Sequence, residues 1–133
     1  MIPTGESVPQ LETILIIDDS PTVRRLVGSS LRNLGYTVVE AVDGQQGLEL
    51  LATARPQLVI VDLNMPNMDG LEFTRAVRSQ PMFKDLPVIM LTTESTEADR
   101  ARGLAAGVNT YLVKPVASQM LNYKLRALLD AKE

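Results

Sequence analysis

Residues 58–62 read Leu-Val-Ile-Val-Asp, apolar at four successive positions and then closed by a carboxylate. A strand with one face in water alternates apolar and polar residues. One that is apolar throughout must be covered on both faces, which a parallel sheet flanked by helices provides. Residues 13–17 (Thr-Ile-Leu-Ile-Ile), 36–41, 87–92 and 110–113 are further strand candidates. Between these runs the apolar residues recur at helical spacing instead. Five strand–helix units in alternation predict a doubly wound α/β fold with a five-stranded parallel sheet and helices on both faces.

The intervening segments carry helix signals. Ser20-Pro21 pairs a favoured cap with a favoured first residue. Val23, Leu26, Val27, Ser30, Leu31 and Leu34 follow at helical spacing, and Gly35 suits a left-handed stop. Asp43-Gly44 predicts a turn, with a helix over 47–54 carrying Leu48, Leu50 and Leu51. Residues 64–70 read as a loop. A short helix over 71–79 offers Leu71, Ala76 and Val77 for packing. Ser95 or Thr96 caps the next helix, which stops at Gly107. The last helix runs over about 118–131, with Met120, Leu121, Leu125, Leu128 and Leu129.

Composition bounds the chemistry. At 133 residues the chain has room for one ordinary domain. Hydrophobic residues make up 45% and aromatics only 4%, with no Trp, which predicts an aliphatic core. Thirteen basic and sixteen acidic residues give a net charge of −3, unlike the basic excess of a nucleic-acid binder. Cys and His are absent, so thiolate and imidazole metal sites and His-based acid–base chemistry are excluded. A metal held here needs oxygen ligands, which favours Mg²⁺, Mn²⁺ or Ca²⁺. Residues 1–10 are polar and Pro-containing; they read as a flexible arm ahead of a domain at 11–133. They lack the basic start and apolar stretch of a signal peptide, and no apolar run is long enough to span a bilayer. A cytoplasmic protein with no membrane contact is expected.

In such sheets ligands bind beyond the carboxyl ends of the strands. The first strand delivers Asp18 and Asp19 there, the third Asp62, the fourth Thr92 and Thr93, and the fifth Lys114. Three ionised carboxylates in one place repel one another. A divalent cation and the Lys114 ammonium together offset them, leaving one carboxylate free to act as a nucleophile. An added phosphoryl group would meet the cation, Lys114 and the Thr92 hydroxyl, the electrostatic apparatus of phosphoryl transfer. Taken singly, an Asp-Asp pair is usually a solvated turn or a cap, and a Thr after an apolar run is ordinary strand composition. Their joint placement at the ends of different strands is what makes that bland reading improbable.

The segments Ile16-Ile17-Asp18-Asp19-Ser20, Val59-Ile60-Val61-Asp62 through Pro66 to Gly70, Met90-Leu91-Thr92-Thr93 and Tyr111-Leu112-Val113-Lys114-Pro115 resemble the response-regulator receiver domain, most closely its single-domain, CheY-like members. The resemblance spans about residues 11–131. It implies the flavodoxin-like strand order 2-1-3-4-5. It also implies that Asp62 accepts a phosphoryl group from a histidine kinase. Asp19, assisted by Asp18, would hold Mg²⁺ together with Asp62 and the backbone carbonyl of Asn64. Lys114 would contact phosphoryl oxygens, with a cis bond to Pro115. Thr92 would move toward the phosphate and Tyr111 would turn inward behind it. Output would be a downstream protein docking on the fourth helix–fifth strand–fifth helix face, including Tyr111 and Lys124, with the unphosphorylated chain a monomer. One departure is Val116, where the family usually has Phe.

Two other classes share parts of this pattern. A flavin module would need a hydroxyl- and Gly-rich loop after the first strand, and here two carboxylates occupy it. A Mg²⁺-dependent phosphohydrolase with an aspartyl nucleophile would usually carry a second Asp where Asn64 stands. A DNA-binding regulator is disfavoured because no residues remain for a second domain.

Overall fold

A computed structural model describes residues 12–131; the expected arm at 1–10 lies outside them. The strands are β1 (Thr13–Ile17), β2 (Thr37–Ala41), β3 (Leu58–Val61), β4 (Val88–Thr92) and β5 (Thr110–Val113). The helices are α1 (Pro21–Asn33), α2 (Gly44–Ala54), α3 (Gly70–Ser79), α4 (Glu97–Ala106) and α5 (Ser118–Asp130). All strand pairs are parallel and the order is β2-β1-β3-β4-β5, as the resemblance implied.

Successive strand residues face opposite sides, so each continuous apolar run feeds two cores. Leu15, Ile17, Val59, Val61, Val88 and Met90 pack on one side with Leu51, Phe73 and Val77 of α2 and α3. Ile14, Ile16, Leu58, Ile60, Ile89 and Leu91 pack on the other with Leu31, Leu121, Leu125 and Leu129 of α1 and α5. The core is not wholly aliphatic. Phe73 is fully buried, and the rings of Tyr36 and Tyr111 are buried too. A Phe in that position stabilises by roughly 2–3 kcal/mol, so one aromatic outweighs its small share of the composition.

The caps follow their sequence signals with one correction. The Ser20 hydroxyl accepts from the Val23 amide at 3.2 Å, and Thr96, rather than Ser95, caps α4. Asp43-Gly44 is not a turn before a later helix. Asp43 caps α2 itself, accepting from the Gln46 amide at 2.9 Å, so the helix begins at Gly44. An Asp-Gly pair suits a turn and a cap equally, and only the following backbone decides. Leu26, Leu34 and Met120, expected on packing faces, are 66%, 50% and 47% exposed. Their helices bury narrower stripes than the apolar spacing suggested.

Register levels the strand ends. Ile17 lies opposite Val61, and Thr92 opposite Val113. The ladder continues one residue further: the Asp62 amide donates to the Ile17 carbonyl at 3.0 Å and the Lys114 amide to the Thr92 carbonyl at 2.8 Å. Asp18, Asp62 and Lys114 therefore leave the sheet from one edge.

Candidate phosphoryl and metal site

Among the described residues, carboxylate oxygens of Asp18, Asp19 and Asp62 lie within 4.8 Å of one another. Asp18 and Asp62 are buried and Asp19 is exposed, so the group opens to solvent on the Asp19 side. The Lys114 ammonium donates to Asp18 Oδ2 at 2.9 Å and stands 3.8 Å from Asp62 Oδ2. The expected convergence of these residues is present, and the Lys114–Pro115 bond is cis.

Each carboxylate is set by its own local bonds. Asp18 Oδ1 accepts from the Ser20 amide at 2.9 Å, the turn that launches α1. Asp62 Oδ1 accepts from the Leu63 amide at 2.8 Å. Asp62 sits over the start of α3, where the chain passes so close that a Cβ on Gly70 would run into the Asp62 backbone carbonyl. Glycine is required there by proximity. Burial pushes the Asp62 carboxyl above its ordinary range. The Thr92 hydroxyl and the Lys114 charge pull it back, and the Asp18 charge adds to the rise. The ionised form is thus held under strain that a nearby positive charge relieves.

The donor set fits a hard divalent cation: three carboxylates, one open to solvent, in a chain with no imidazole or thiolate. Asn64 is exposed in the loop two residues after Asp62, on the same edge.

Thr92 and Tyr111 form a second layer. Thr92 is fully buried. Tyr111 is only 4% exposed, and its hydroxyl donates to the Glu94 carbonyl at 2.7 Å. One edge of its ring lies against Gly103, where a Cβ would stand 2.9 Å from it, and the Arg100 guanidinium is 5.1 Å from the ring centroid. α4 covers the Tyr111 ring, so little of it reaches the surface on the α4–β5 side. Sequence reasoning missed Arg24, whose guanidinium donates to the Asp18 backbone carbonyl at 2.6 Å. A lone Arg on a helix carries no signal of such a bond.

Comparison with known proteins agrees with this geometry. The response regulator receiver domain family matches residues 14–126. Chemotaxis protein CheY1 of Helicobacter pylori is 43% identical over 122 residues, covering 90% of this chain and 98% of that protein. The CheY homolog of Campylobacter jejuni is 42% identical over 118 residues, 87% of this chain and 91% of its own length. Among solved structures, chemotaxis protein CheY4 of Vibrio cholerae superposes with a TM-score of 0.85 at 38% identity, covering 90% of this chain and 99% of that one. The receiver domain of a sensor histidine kinase from Pseudomonas aeruginosa, determined with a magnesium ion coordinated in its active site cleft, superposes with a TM-score of 0.85 at 31% identity. It covers 91% of this chain and 99% of that one. This chain therefore belongs to the response-regulator receiver family, as a CheY-like member of two-component signalling.

Proposed function

We propose that the chain is a phosphorylation-driven switch in which Asp62 accepts a phosphoryl group from a phosphohistidine of a histidine kinase. The observation that carries this is the Lys114 ammonium, 2.9 Å from Asp18 and 3.8 Å from Asp62, within a cluster of three carboxylates. An Asp62 carboxylate oxygen attacks phosphorus and the P–N bond to the imidazole breaks. The imidazole ring takes a proton as it leaves. Lys114 swings from Asp18 toward the new phosphoryl oxygens, and the Thr92 hydroxyl donates to another by a charge-assisted bond. Asp18, Asp19, Asp62 and the Asn64 carbonyl would hold Mg²⁺, which would supply positive charge to offset the carboxylates and the phosphoryl oxygens. The chain is not an enzyme for a separate substrate; it catalyses only its own phosphorylation and dephosphorylation.

Output is a change in protein–protein binding on the α4–β5–α5 face. Tyr111 acts from beneath that face. Phosphate on Asp62 draws the Thr92 hydroxyl toward it and shifts the population between two arrangements of that face. No described helix is long and apolar enough to cross a membrane, in keeping with action in the cytoplasm.

The test is intact-mass spectrometry after acetyl phosphate treatment, with and without Mg²⁺. The unsubstituted chain should gain one acid-labile phosphoryl group only with Mg²⁺, and Asp62→Asn should gain none. Incorporation into Asp62→Asn at the same rate would overturn the assignment.

A further inference from the structure

Asp18 is bound at every polar atom it has. Its amide donates to the Ala41 carbonyl at 3.2 Å, Oδ1 accepts from Ser20 and Oδ2 from Lys114. The remaining group is its backbone carbonyl, and Arg24 takes it. That carbonyl belongs to the peptide that begins Asp19, so fixing its direction fixes the plane from which the exposed Asp19 carboxylate departs.

Arg24 is itself held. Its Nε stands 3.3 Å from Glu40 Oε1, and its side chain is only 15% exposed. The other Glu40 oxygen accepts from Arg32 at 3.1 Å. Glu40 lies on β2, directly across the sheet from Ile16 on β1. A chain of bonds therefore runs from the β2 edge through one planar guanidinium to the loop that carries two of the three carboxylates. Glu40 also offsets the Arg24 charge. The Arg fork holds a carboxylate and a carbonyl in one rigid plane; a Lys ammonium on its flexible stem offers no such fixed geometry.

We propose that Arg24 is a positioning residue for the Mg²⁺ site, acting through the Asp18 carbonyl and anchored by Glu40. The inference rests on the metal reading given under Proposed function. Charge and geometry predict opposite outcomes here. Arg24 is a cation near a cation site, so if its charge alone mattered, removing it would tighten Mg²⁺ binding. If it holds the loop, removing it weakens binding, as loss of an outer-shell partner typically does by about tenfold or more.

The experiment is a Mg²⁺ titration of the metal-free full chain, followed through the Asp19 and Ser20 amide resonances. Arg24→Ala should raise the dissociation constant about tenfold. Arg24→Lys keeps the charge and the fold but loses the fork, and should weaken binding by an intermediate factor with the metal-free melting temperature unchanged. Should Arg24→Ala fail to fold, Arg24→Lys decides the matter. Unchanged or tighter binding in the folded variants overturns the inference and leaves the metal reading standing. Failure of the unsubstituted chain to bind Mg²⁺ overturns both.

Discussion

Two half-buried cations sit at opposite ends of the same sheet. Lys114, at the carboxyl edge, has one close carboxylate and one at 3.8 Å. Arg78, at the amino edge, donates to the Gly107 carbonyl at 2.8 and 3.1 Å, the Leu86 carbonyl at 2.7 Å and Asn109 Oδ1 at 2.9 Å. It thereby ties the end of α3 to the turns that lead into β4 and β5. Asn109 Oδ1 also accepts from the Val88 amide at 2.8 Å. Arg78 is engaged by backbone carbonyls and the Asn109 side-chain amide, with the Asp85 charge nearby, so its donors are already spent. Lys114 is a point charge with three donors, facing anions that can rearrange. Burial and charge are alike; the partners decide which cation is scaffold and which is chemistry.

Substitution at each end separates the two roles. Lys114→Ala should slow phosphoryl uptake at Asp62 about 100-fold, the usual cost of losing one donor to developing charge. Stability at saturating Mg²⁺ should stay close to that of the parent. Rapid quench with labelled phosphodonor measures the first and urea unfolding the second. Unchanged uptake would erase the contrast with Arg78.

Arg78→Ala should do the reverse. It leaves the part-buried Gly107 and Leu86 carbonyls without that donor, at a cost of about 1–2 kcal/mol in urea unfolding, while the folded fraction takes up phosphate at the parental rate. Arg78→Lys should rescue little, since one ammonium cannot serve all these acceptors together.

The smallest effect should come from Asp62→Asn without metal. One of three crowded charges is removed, so the melting temperature should rise by a few degrees, the shift that about 1 kcal/mol produces in a domain of this size. The sign with pH follows from the raised Asp62 carboxyl. A carboxyl raised by folding contributes stability below its unfolded value and loses it as pH rises through the folded one. The advantage of Asn should therefore open as pH climbs out of the acidic range, and Mg²⁺ should close it. A variant less stable than the parent at neutral pH would show that the Leu63 bond outweighs the repulsion.

What was legible in the sequence was what depends on local pattern. Continuous apolar runs announced β1, β3 and β4, and their terminal residues announced the acidic edge. Ser20-Pro21 announced α1. What was not legible depends on partners far along the chain. Arg78 meets residues 29 and 31 positions away, and nothing near it in sequence marks those carbonyls as free. Leu26 and Leu34 fit the helical period, yet the sheet covers a narrower stripe than the period allows. The resemblance implied an inward Tyr111, but strand alternation alone cannot foresee that Gly103 lets α4 close over the ring. Arg24 belongs to the same class, its bond to Asp18 being an accident of where α1 leaves the loop until Glu40 is seen behind it.

The ion pair between Glu12 and Arg126, at 2.6 Å, brings the approach to the first strand beside the last helix. Both lie toward the amino ends of the strands, away from the carboxylates. The sheet is thus clasped at its amino end, and the carboxylate cluster at the opposite end is left open to solvent on the Asp19 side.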